Sequence, residues 1–263
     1  MMRVTYLGHS GFLLEMEDAL FLFDYYQGSL PEMDPEKTLF VFVSHVHYDH
    51  YNPDILKLRC QRQNIWYLFS DDVPMPDEQK QVIRLSPEEE RRVNGIRVRT
   101  LPSTDEGVAF WIEYHGIVIY HAGDLNWWHW EGEPKSYNEQ MRADYQKAIR
   151  ELPDQPIDVA FVPADLRLGE QYVWGLDYFM RHTDTKNVFP MHFWGSYEVF
   201  DRLFHEPCTT EYRSRIREIQ TEGQVSDSEC QTPVLLSESE RFRQKDRCLT
   251  FRVRHSIMKN SIK

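Results

Sequence analysis

Residues 45–50 read His-Val-His-Tyr-Asp-His, so three of the chain's eleven histidines and one aspartate fall within six positions. Imidazole and carboxylate together suit Zn²⁺, Mn²⁺ or Fe. His45 and His47 are two apart at the end of an apolar run, so their rings can point the same way on extended chain. Asp49 and His50 follow within a turn and can be directed to a second point close by. One metal takes about four ligands, so this density suggests two metals in one neighbourhood. A polar turn carrying surface histidines explains the residue types but not their spacing at a strand end.

The elements around the cluster read as those that would position it. The strand "TLFVFVS" leads in, and a helix follows, with Asn52 as N-cap and Pro53 at its first position. "RVTYLG", "GFLLEM" and "ALFLFD" are earlier strands, "NIWYLFS" and "GIRVRTL" later ones. "VAFWIEY" and "IVIYHAG" form a hairpin turned at His115-Gly116. Residues 136–152 are the clearest amphipathic helix, with Met141, Tyr145 and Ile149 on one face. Strand "DVAFVP", helix "VWGLDYFMRH", strand "NVFPMH" and helix "SYEVFDRLF" complete the alternation. Two packed sheets with helices outside satisfy this order. One domain over residues 1–223 is the economical reading, with 224–263 as a C-terminal extension expected to be poorly ordered, a single strand in "CLTFRVRH" being the alternative.

"SHVHYDHYNP" resembles the signature of the metallo-β-lactamase superfamily of metal-dependent hydrolases. "YLGHSGFLLE", "LFLFD" ending in Asp24, "IYHAGD" and "VFPMHFWG" are similar, in the same order, to motifs of its ascorbate-6-phosphate-lactonase-like branch. The resemblance implies a four-layer αββα sandwich and a dinuclear site. It assigns His45 and His47 to a first metal, Asp49, His50 and His192 to a second, and Asp124 as the bridge. It also implies a third histidine for the first metal, about twenty residues before Asp124. This chain has "LPSTDEGVAF" there instead. Asp105 is the best-placed substitute, ahead of Ser103 and Thr104, and Glu106 is expected on the opposite side of an extended chain. His129 and His9 could also fill the gap, although His9 reads more readily as structural. A carboxylate at that point would shift preference toward Mn²⁺ or Fe.

The segment "LNWWHWEGE" after Asp124 carries Trp127, Trp128, His129 and Trp130. Such rings line ligand pockets, and they also fill cores. His129 is a candidate proton donor, replacement ligand or partner to a ligand. Arg167 could hold an anionic substrate group or form a surface ion pair. Asp49 is the expected orienter or acceptor of the proton of an attacking water.

Composition narrows the function. The chain is 41% hydrophobic and 14% aromatic, as a globular protein is. A net charge of -12 argues against gripping phosphate backbones, so no nucleic-acid partner is expected. The 224–263 segment holds eight Lys/Arg against five Asp/Glu, which leaves the body more acidic still. No apolar stretch approaches the ~20 residues that cross a bilayer. Acidic Glu15, Glu17 and Asp18 interrupt any leader-like start. Cys60, Cys208, Cys230 and Cys248 are too sparse for a disulfide framework, so the expectation is a cytoplasmic protein. No GxxxxGK[ST], GxGxxG or GxSxG occurs. The expectation is therefore a metal-dependent hydrolase with two divalent ions, Zn or Mn with Fe as an option. It would use activated water on a small lactone, ester or phosphoester. A non-hydrolytic metal protein, iron redox or oxygen-handling or a degenerate binder, is the alternative, then a nuclease. Oligomeric state is open.

Overall fold

The computed structural model describes residues 2–74, 81–221, 223 and 225–228. Met1–Glu229 form one compact unit. Its chain runs β1 (Met2–Gly8), β2 (Gly11–Glu15), β3 (Ala19–Phe23), β4 (Thr38–Val43), β5 (Ile65–Ser70), β6 (Val82–Leu85), β7 (Glu90–Val93), β8 (Ile96–Pro102), β9 (Val108–Tyr114) and β10 (Ile117–His121). Then follow α1 (Lys135–Arg150), β11 (Val159–Pro163), α2 (Trp174–His182), β12 (Val188–Met191), α3 (Glu198–His205) and β13 (Val225–Ser228). The strands make two mixed sheets, one ordered β13-β1-β2-β3-β4-β5-β6 and the other β12-β11-β10-β9-β8-β7. This is the expected metallo-β-lactamase sandwich.

The strands sort their side chains by period two. In β3, Phe21 and Phe23 face the other sheet, whereas Leu20 and Leu22 join an outer cluster with Tyr51 and Ile55. Covered on both faces, β3 is buried along its whole length. Between the sheets, Phe12 meets Phe161 at 4.3 Å and Phe42 meets Phe110 at 5.2 Å. On the far side, Tyr120 stacks on Phe179 of α2 at 4.9 Å, and the Tyr145 hydroxyl of α1 donates to the Gly175 carbonyl. Fully burying each such ring is worth about 2 kcal/mol.

Three strands were not anticipated: β6, β7 and β13. Each pairs with one neighbour only, β6 with β5, β7 with β8 and β13 with β1. β7 "ERRV" and β13 "VSDS" are short and polar and so lack the apolar alternation that marks central strands, and β6 "VIRL" is only four residues long. The helix after the histidine cluster, Pro53–Cys60, is 3₁₀, with the Asn52 side chain accepting from Asp54 N as a cap. Leu166–Val173 is also 3₁₀. The "CLTFRVRH" strand lies outside the described residues. No described helix is long and apolar enough to cross a membrane.

Candidate metal centre

Four strand ends carry the candidate donors to one edge of the sandwich. β1 delivers His9, β4 delivers His45, β10 leads to Asp124 and β12 to His192. Past β4 the chain turns, with His50 N and Tyr51 N both donating to the His47 carbonyl. That turn brings Asp49 and His50 beside the strand end.

Close packing under this edge requires glycine. Gly123 has φ +51, and a Cβ there would lie 2.6 Å from the Ser44 Cβ. Gly107, at φ +70, would collide with the Ser44 carbonyl. Both glycines thus let the second sheet press against the residue next to His45.

Hydrogen bonds fix the tautomers of three imidazoles. The Ser44 amide and hydroxyl both donate to Asp24 at 2.7 Å. With the hydroxyl proton so used, the His45 Nδ1–H donates to Ser44 Oγ at 2.9 Å. His50 Nδ1–H donates to Asp24 Oδ2 at 2.8 Å. His192 Nδ1–H donates to Asp165 Oδ2 at 2.9 Å. Each ring turns its Nε2 toward the centre, and all three face one carboxylate. Asp124 stands 3.6 Å from His45 Nε2, 3.2 Å from His50 Nε2 and 3.4 Å from His192 Nε2.

The donors form two groups, His45, His47 and Asp124 in one, His9, Asp49, His50 and His192 in the other. Within each, the ligand atoms lie within 4.8 Å of one another. The buried atoms His45 Nε2, His50 Nε2, Asp124 Oδ1 and both His9 ring nitrogens have no hydrogen-bond partner. Unpartnered buried donors cost free energy unless something else binds them. The residues therefore fit a pair of cations.

Protonation follows the same geometry. Burial, with His50 nearby, lowers His45 to about 4. Burial also lowers His9 to about 4 against the pull of Asp49. Both rings are neutral lone-pair donors at neutral pH. Burial opposes charge on His50, but the Asp124 and Asp24 carboxylates outweigh it and push His50 up to about 10. Burial raises Asp49, yet the His9 ring 3.3 Å away and the nearby His50 hold it at about 2.

The anticipated residues do not all gather here. His45, His47, Asp49, His50, Asp124 and His192 do. His9 joins them beside Asp49, with Nε2 3.3 Å from Oδ2, and not beside His45 and His47. Asp105 lines the pocket but lies outside both donor groups. The expectation that Glu106 turns away is corrected: residues 104–107 form a bend, not extended chain, and Glu106 Oε2 lies 3.3 Å from His47 Nε2. His129 and Trp127 are also corrected. They line a separate hollow, His129 packing 4.9 Å from Trp174. The irregular chain of 127–130 alternates, sending Trp128 and Trp130 toward the metal side, their rings parallel at 6.1 Å. Trp128 Nε1 donates to the Asp124 carbonyl at 2.9 Å. Arg167 lines the pocket, engages Asp165 through Nε and Nη2, and lies 4.9 Å from the Trp194 ring. Asp165 and Trp194 went unassigned from sequence. Only the chain's return past His192 reveals them.

The pocket above these donors encloses about 360 Å³. Asp24 is fully buried beneath it and holds both Ser44 and His50. We expect Asp24→Asn to release the His50 tautomer and lower metal affinity about 10- to 100-fold, as loss of such partners does. Equilibrium dialysis of the variant against the parent checks this, and equal affinities would refute it.

A family model described as a β-lactamase superfamily domain matches residues 3–144. No curated protein gives a significant match. Among solved structures, Igni18, a metallo hydrolase from Ignicoccus hospitalis, aligns with a TM-score of 0.55 and 18% identity, over 88% of this chain and 99% of its own. The metallo-β-lactamase fold protein YhfI from Bacillus subtilis aligns with a TM-score of 0.56 and 14% identity, over 86% and 100%. At these identities the likeness is one of fold.

Proposed function

The chain belongs to the β-lactamase superfamily, in its metallo-β-lactamase fold, and from that premise we propose that it is a metal-dependent hydrolase with a dinuclear centre. The observation that carries this reading is the set of buried imidazole nitrogens turned toward Asp124 from two donor groups. His45 and His47 would hold one ion, Asp49, His50 and His192 the other, and Asp124 both. His9 stands beside the second group. The 105–106 carboxylates would supply what the absent third histidine does not, with Glu106 the better placed.

Bound divalent ions supply Lewis-acid activation of water and of a carbonyl or phosphoryl oxygen. The protein's own groups do the rest. Asp49, held ionised at about 2, accepts or orients the proton of the attacking water. Asp24 and Asp165 keep His50 and His192 in one tautomer. Arg167 offers Nη1, which Asp165 does not engage, to an anionic substituent. Trp128 and Trp130 wall the cavity and exclude water. A lactone, ester or phosphoester is the substrate class, the lactone following from the lactonase-like motifs in the sequence. Cys60 and Cys208, both free thiols, agree with a reducing compartment such as the cytoplasm.

The carboxylates beside His47 favour Mn²⁺ or Fe over Zn²⁺ and keep open a second reading, a non-hydrolytic iron protein. Purified protein is expected to carry close to two equivalents of metal and to hydrolyse members of a lactone, ester and phosphodiester panel. His192→Ala should lose about one equivalent and most turnover while the circular dichroism is unchanged. Metal without turnover on any substrate, together with redox-active iron and oxygen uptake, would replace hydrolysis with the second reading.

A further inference from the structure

Beside the metal pocket lies a second hollow of about 460 Å³. Trp130 lines both, so one indole is the wall between them. The alternation of 127–130 that sends Trp128 to the metal side sends Trp127 and His129 into this hollow. There Trp127 meets Trp174 edge to face at 5.3 Å. Asn138 of α1 fixes the dividing wall, donating to the Trp130 carbonyl and accepting from its amide. The partition is thus held by the backbone.

Both cations lining the hollow have neighbours beside it. Lys135 lies 3.5 Å from Glu139, and the Arg142 guanidinium lies over the Trp127 ring at 5.9 Å. Glu131 and Glu133 line the rim as well, so an anionic group gains nothing there. What remains is indole surface, suited to a flat, uncharged ring. The exposed large aromatics among the described residues mark the same path: Tyr48, Tyr137 and Trp194 line the metal pocket and Trp174 the hollow. Aromatic surface kept in water at two adjoining openings marks a binding surface.

We propose that the hollow is a distal subsite for the substrate of the metal centre, which makes that substrate an elongated ester, lactone or phosphoester bearing a flat, uncharged aromatic ring. The proposal rests on the hydrolase reading for the position of the scissile group. It commits the distal end to aromatic chemistry. Trp130 is then shared, one face toward the reacting end and the other toward the ring.

Simple product-like probes test this by calorimetry on the full chain. Straight-chain alkanoates of two to six carbons are compared with the same acids carrying a terminal 2-naphthyl group. At the best chain length the naphthyl acid is expected to bind at least about tenfold tighter, the scale of one good ring stack. Trp174→Ala should cut that naphthyl-to-alkyl ratio about tenfold. Glu139→Trp, which fills the hollow from the exposed face of α1, should do the same by another route. A ratio near one in the parent, or a parental ratio in both variants, overturns the subsite. Metal content and alkanoate affinity in His192→Ala report separately on the metal centre, so failure of that reading is told apart from failure of the subsite.

Discussion

Asp124→Ala is expected to release both metal ions together. One carboxylate faces the Nε2 atoms of His45, His50 and His192, so its loss opens both donor groups. No other described residue has this reach. Removing an outer partner of a ligand costs up to about 100-fold in affinity or activity, so removing the shared ligand should exceed that. Elemental analysis after dialysis should find well under one equivalent, and turnover should fall by more than about 100-fold. A variant that still holds two equivalents would show that Asp124 merely fills space between the histidines. His192→Ala, which opens only one group, supplies the contrast.

The second large effect concerns Glu106. Its carboxylate sits 3.3 Å from His47 Nε2, whereas burial and the charge of Asp124 raise the pKa of neighbouring Asp105. Of the two, Glu106 is the carboxylate that already reaches a ring nitrogen of a candidate ligand. Glu106→Gln should therefore weaken the first site about 10- to 100-fold, while Asp105→Asn changes it less. Glu106→His should raise affinity for zinc relative to manganese, because imidazole is the softer donor. Competition titrations with both ions measure each arm. A parental first site in Glu106→Gln combined with a weakened one in Asp105→Asn would hand the role to Asp105.

The ligand cluster was legible because its signal is local. His45 to His50 lie on one strand end and one turn, and His192 and Asp124 end apolar runs. Tertiary approach was not legible. His9 sits in a Gly-flanked corner that reads as structural, and only the fold brings β1 beside β12, where His192 N donates to the His9 carbonyl. Asp165 carried no role in the sequence, where only its neighbour Arg167 drew a reading. The same carboxylate turned out to orient His192. The Trp-rich segment misled for a different reason. Composition reports that aromatics are present, but alternation on an irregular chain decides which two of four residues meet the metals. The edge strands β7 and β13 were lost because their polar sequences lack the apolar period on which recognition depends, whereas the edge strand β12 is apolar and was legible.

The placement of the donors has a consequence for the order of assembly. They come from the ends of β1, β4, β10 and β12, so nearly the whole compact unit separates the first from the last. Contacts that close such long loops form late, after hairpins such as β9–β10 and local turns. A growing chain on the ribosome exposes His9 and then the His45–His50 fragment well before Asp124 and His192. Discrimination begins only when Asp124 and His192 swing in. The finished pocket, and not the first ion encountered, then decides which metal stays.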